Sequence, residues 1–139
     1  MDKYLGSWNF IESSNFDEYL KGLGIMLPLR KLANITKPTL TIKQDDTEVY
    51  SVTTDAGIRS VKTSFKLGEE VLERTVDLRL VKTVFKLNGD DCLVIRSTDS
   101  RGVTSEDVRC IEGNLMKVKM IVKGIESTAI FKKKDVAII

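Results

Sequence analysis

The chain contains no histidine. That removes the commonest general base, the usual zinc ligand and every Ser–His or Cys–His nucleophile pair. Catalysis would have to run on carboxylates, lysine or tyrosine, and no enzyme, metal site or cofactor is expected. Cysteine is almost as scarce: Cys92 and Cys110 are too few for a disulfide framework. They fall on consecutive expected strands, and the simplest reading makes them reduced, small apolar residues in a reducing, cytosolic setting. No apolar run approaches the roughly 20 residues that span a bilayer. The start, Met1-Asp2-Lys3-Tyr4, lacks the apolar stretch of a secretory signal. Nor is there an excess of charge. The 22 basic residues face 20 acidic ones, a net +2, which gives no global field to attract nucleic acid.

The 139 residues suit one domain spanning 1–139. Their order is uncommon. A strand-like piece, Tyr4 to Phe10, leads straight into Asn15-Phe16-Asp17-Glu18-Tyr19-Leu20-Lys21-Gly22-Leu23-Gly24. Asn15 is a natural N-cap, with Asp17 and Glu18 in the first turn where the helix dipole favours acids. Phe16, Tyr19, Leu20 and Leu23 share one face at helical spacing, and Gly22 and Gly24 end the helix. A second helix is expected from Met26 to Asn34 with Pro28 in its first turn, so the pair covers residues 15–34. Lys37-Pro38 then forces an extended chain. From Thr39 onward, short segments with period-two alternation are separated by turns such as Asp55-Ala56-Gly57, Asn88-Gly89-Asp90 and Glu112-Gly113-Asn114. Counting the first, they make ten strands, an all-β up-and-down antiparallel meander. A barrel of ten strands is wider than its own side chains fill, so an internal ligand cavity with a helical lid is expected.

The residues that carry the lid also carry a resemblance. Leu5-Gly6-Ser7-Trp8, Asn15-Phe16-Asp17-Glu18-Tyr19, Leu23-Gly24, Arg30-Lys31-Leu32, Lys37-Pro38-Thr39 and Ser64-Phe65-Lys66-Leu67-Gly68-Glu69-Glu70 occur in the order and spacing of the intracellular fatty-acid-binding proteins. This group of cytosolic lipid-binding proteins includes retinoid carriers, and the likeness spans about residues 4–131. It implies a ten-strand barrel with a helix-turn-helix cap, reversible binding of a hydrophobic ligand and no catalysis. It also implies ligand contacts from Phe16, Tyr19, Pro38, Arg59, Asp77, Arg79, Arg109, Met120, Ala129 and Phe131. Leu23, Ile25 and Ile58 would line the portal. A cytoplasmic monomer is expected.

One part departs from the pattern. Family members that bind fatty acids usually hold the carboxylate with two arginines and a tyrosine on the last strands. Arg109 matches the first arginine, but the final Arg-x-Tyr is replaced here by Ala129-Ile130-Phe131. On a strand, Asp107 and Arg109 share a face. Either both point inward and Arg109 already has a counter-ion, or the register slips by one and Val108 and Cys110 are inside. Two ligand readings therefore stand: a fatty acid, or a neutral or bulkier lipid. Phe131 is read as ligand contact or plain wall packing, and Trp8 as core. The lid residues Lys21, Arg30 and Lys31 fit either a solvated face or transient contact with an anionic membrane. By resemblance they also match a basic cluster linked to nuclear entry, which suggests a lipid-sensing delivery partner.

Overall fold

The computed structural model describes residues 1–57, 59–89 and 92–134. A short 3-10 turn at Asp2–Tyr4 precedes β1 (Gly6–Ser14), α1 (Phe16–Gly22) and α2 (Leu27–Ile35). Nine strands follow: β2 (Thr39–Asp46), β3 (Val49–Asp55), β4 (Ser60–Phe65), β5 (Glu70–Arg74), β6 (Leu80–Asn88), β7 (Cys92–Asp99), β8 (Thr104–Glu112), β9 (Leu115–Val122) and β10 (Ile125–Lys133). All pair antiparallel with their sequence neighbours except β4 with β5, and β1 pairs with β10 to close the sheet. The expected meander and lid are present, with the barrel open only along the β4–β5 seam. Thr63 on β4 bridges that seam by donating to Glu73 on β5. No helix among the described residues is long and apolar enough to cross a membrane.

The first strand is longer than its pattern suggested. Phe10 pairs with Phe131 and Glu12 with Ile130, which leaves Ile11 as an unpaired extra residue, half exposed. Such a bulge switches the face that later residues present. Trp8 and Phe10 lie inward before it and Ser13 after it, so the strand continues through Ser14 although its alternation breaks. Asn15 does start α1, but not as an N-cap side chain. It adopts a left-handed backbone with φ 60°, and its amide donates to Glu126 O at 2.9 Å, tying the lid to β10.

The core has two parts. Tyr4, Trp8, Ile42, Leu93 and Met116 fill one end completely, with Trp8 Nε1 donating to Tyr4 O at 2.9 Å. At the other end Tyr19, Leu20, Leu23 and Ile25 of the lid pack with Val122. Gly22 sits so close to β9 and β10 that a Cβ there would come within 2.8 Å of Val122 and 2.9 Å of Ile125. Glycine at 22 thus sets how near the lid lies.

Cys92 and Cys110 correct the sequence reading. They are joined in a disulfide rather than reduced. They are direct partners in the β7–β8 register, with Cα atoms 4.5 Å apart, the spacing of a non-hydrogen-bonded pair. They alternate with the inward Leu93 and Arg109, so the bridge is on the outer face. Disulfides are rare in reducing compartments, which removes the cysteine-based reason for a reducing location. Cross-linking residues separated by 18 positions stabilises by about 3 kcal/mol through loop closure. Reductant is therefore expected to lower the midpoint of urea unfolding. The double substitution Cys92→Ser with Cys110→Ser should match the reduced protein and ignore reductant.

Candidate functional site

Between the solid end and the lid lies a cavity of about 430 Å³, within the range of small-molecule sites. Its walls are mainly apolar: Phe10, Leu40, Phe85, Ile95, Val118 and Met120 among them, with Leu29 and Leu32 of α2 above. Of the residues singled out from sequence, Phe16, Tyr19, Pro38, Arg59, Asp77, Arg79, Arg109, Met120, Ala129 and Phe131 all line it, as do Leu23 and Ile25 of the lid. Ile58 lies outside the described residues. Phe131 meets Phe10 edge-on with centroids 5.7 Å apart, so its ring is both wall and core. Phe16 and Tyr19 are stacked at 6.3 Å.

The carboxylates that line the cavity each have a partner. Asp107 and Arg109 both face the cavity, so the slipped register is not adopted, and Asp107 Oδ2 lies 3.6 Å from Arg109 Nη2. Burial raises the Asp107 carboxyl above the ordinary aspartate value despite the neighbouring guanidinium. Two further nitrogens of Arg109, Nε and Nη1, are buried without a hydrogen-bond partner. Across the cavity Arg79 Nε sits 2.5 Å from Asp77 Oδ2. Glu73, which sequence reasoning passed over, accepts from Thr83 Oγ1 at 3.0 Å and from Thr63 Oγ1. Its signal was the inward parity of β5, where Val71 and Glu73 alternate with exposed Leu72 and Arg74. Burial pushes the Tyr19 hydroxyl well above the usual tyrosine value, with the Asp107 charge adding to the effect and a hydrogen bond to Ser105 opposing it.

A family model described as Lipocalin / cytosolic fatty-acid binding protein family matches residues 5–134. Fatty acid-binding protein 9 of Homo sapiens is 33% identical over 133 residues, covering 96% of this chain and 98% of its own length. Fatty-acid-binding protein 1 of Echinococcus granulosus superposes with a TM-score of 0.93 at 26% identity, covering 97% of this chain and 100% of its own. A Schistosoma mansoni fatty acid binding protein solved with arachidonic acid superposes at 0.92 with 30% identity, over 97% and 98% of the two chains. This chain belongs to the lipocalin/cytosolic fatty-acid binding protein family.

β10 supplies Ala129 and Phe131 to the cavity, at the positions where the resemblance implies arginine and tyrosine. The polar floor is instead the Asp107–Arg109 pair, with Tyr19 reaching down from the lid.

The lid is held by charges of its own. Asp17 accepts from Asn34 Nδ2 at 2.9 Å and Arg30 Nε at 3.2 Å, clasping α1 to α2. The hydrogen bond from Asn34 outweighs the effect of burial, and with Arg30 and Lys21 nearby the Asp17 carboxyl is held below its usual value. Arg30 also donates to Ile25 O at 2.9 Å, and Lys21 sits 3.1 Å from Glu18 and 3.6 Å from Asp17. Lys21 and Arg30 are therefore spoken for within the lid, while Lys31 and Lys37 stand exposed.

A second hold was not visible from sequence. Arg101, in the β7–β8 turn, donates to Leu23 O at the end of α1 and is braced by Asp99 Oδ2 at 2.7 Å. Its guanidinium occupies the space that a Cβ at residue 24 would need, which makes Gly24 part of the same joint. Asp99 also accepts the amides of Arg101 (2.9 Å) and Val103 (3.0 Å). Burial alone would raise its carboxyl, but the Arg101 side chain and these amides outweigh it and hold it below the ordinary 3.8. The folded value is below the unfolded one. The contact thus contributes stability that is full above the unfolded pKa and is lost as pH falls through the folded value. Asp99→Asn is expected to flatten the acid limb of the stability–pH curve. Arg101→Ala should speed amide exchange at Leu23 to Ile25 and accelerate ligand release, measured by stopped-flow displacement.

Proposed function

We propose that this protein is a non-catalytic carrier that holds a long-chain fatty acid or closely related lipid inside the barrel and exchanges it through the helical lid. The observation that carries this reading is the lidded, largely apolar cavity with a buried guanidinium that has unused donors at its floor. The arachidonic acid bound by the Schistosoma mansoni relative supports it. Chain burial contributes about 0.8 kcal/mol per methylene. That is enough for a long chain to hold its place after association costs, leaving the head group to decide between ligands. We place the carrier in the cytoplasm and as a monomer, on the family's usual setting. Displacement of a fluorescent apolar probe by acids of increasing chain length tests the reading. Affinity should climb about three- to fourfold per methylene until the cavity is full. Failure of every acyl chain to displace the probe would overturn it.

A second reading concerns how ligand leaves. Met26, just before α2, and Ile35 at its end are 74% and 78% exposed, and Lys31 and Lys37 are exposed as well. An apolar edge flanked by cations suits brief seating on an anionic bilayer. The pairing of Lys21 and Arg30 inside the lid weakens the alternative of a ligand-controlled basic patch for nuclear entry or receptor delivery. Transfer to anionic vesicles is expected to rise with vesicle concentration and fall with salt. Ile35→Ser should slow it severalfold. Rates indifferent to vesicle concentration would mean release into water.

A further inference from the structure

We infer that Asp107 couples capture of an acyl ligand to protons: a carboxylate head seated at Arg109 shares one proton with Asp107, whereas an uncharged head that both donates and accepts hydrogen bonds is captured with no proton taken up. This rests on the carrier reading above and specifies the head group that the cavity admits.

Charged and titratable groups from several elements share the cavity with Arg109. On β8, Asp107 faces Arg109 at 3.6 Å and is its counter-ion before any ligand arrives. From β5, Glu73 faces the same space, fixed by Thr63 and Thr83. From the turn after β5, Asp77 holds Arg79 at 2.5 Å, and Arg79 Nη1 lies 3.9 Å from Asp99. From α1, Tyr19 brings a hydroxyl that burial keeps protonated. Arg59 and Arg74 line the cavity from exposed positions. Away from those two, three carboxylates (Glu73, Asp77, Asp107) meet two guanidinium groups (Arg79, Arg109). At Arg109 itself, which already has Asp107 at 3.6 Å, a ligand carboxylate would be a second negative group on one guanidinium.

Two carboxylates that converge on one guanidinium away from bulk water cannot both stay ionised cheaply, and the lower-energy state keeps one proton between them. Asp107 is suited to accept it, because burial already favours its neutral form. Once protonated, it can donate to the ligand while Nε and Nη1 of Arg109 supply further donors. A fatty alcohol or primary amide has no such conflict. Its own proton is donated to ionised Asp107 and its oxygen accepts from Arg109.

The test is calorimetric titration of the intact protein with dodecanoic acid and with dodecanol, each in buffers of low and high ionisation enthalpy. The wild-type protein is expected to take up close to one proton with the acid and none with the alcohol. Acid affinity should fall by up to about tenfold per pH unit on the alkaline side, and alcohol affinity should not change. Asp107→Asn should abolish uptake and tighten the acid at alkaline pH, while Glu73→Gln keeps the uptake. Acid binding without proton uptake in the wild type overturns the inference and leaves the carrier reading standing. So does uptake that persists in Asp107→Asn or disappears in Glu73→Gln. The buffer comparison on the wild type decides the first point even if a variant fails to fold. If neither ligand nor a fluorescent apolar probe binds, the carrier reading itself falls.

Discussion

A sheet of ten short antiparallel strands that closes on itself encloses more space than its inward side chains can fill. Everything functional in this molecule follows from how that surplus is distributed. Tyr4, Trp8, Ile42, Leu93 and Met116 use up the space at one end. The remaining surplus gathers beneath the lid as one lined cavity. Closure depends on β1 pairing with β10, and the Ile11 bulge lets β1 turn its later residues toward the lid while staying paired. An apolar hollow of this kind is costly to hold in an empty barrel, because its lining has lost packing partners on one side. A ligand that replaces the missing contacts would make up that deficit.

The lid is held by apolar packing and by a few polar contacts together. Its one-sided apolar face meets Val122, and glycine at 22 brings it close. Its position is then set by Asn15 on β10, by Asp17 between the two helices and by Arg101 on the end of α1. Hydrogen bonds of this sort are each worth about 1 kcal/mol net. They define the position of the lid at modest strength.

How much of this was legible beforehand follows from the range of each cause. Strand period and helix spacing are local, so the presence of ten strands and two helices could be read directly, and the limits of most of them to within a few residues. The limits of β1 could not, because a bulge depends on what the partner strand does. Inward facing of Asp107 and Arg109 followed from strand alternation once the register was known. The disulfide was within reach: Cys92 and Cys110 lie at equal distances from Arg101 at the turn, and antiparallel pairing makes such residues opposite. Composition argued the other way, and geometry prevailed. Asp99 and Arg101 looked like ordinary turn residues. Their importance comes from Leu23, 78 positions away, and no local pattern encodes that meeting.

The buried charges make the strongest case that this interior is selective. An apolar wall would hold an acyl chain at least as well, and burying ion pairs usually adds little or nothing to stability. Yet the cavity keeps Asp77 with Arg79 and Asp107 with Arg109, and Glu73 between two threonines. Such pairs cost little when complete and a great deal when one partner is left alone. A head group that takes Arg109 from Asp107 must therefore offer Asp107 something in return. A bare carboxylate has only acceptors to offer, and a proton is the smallest thing that makes up the difference.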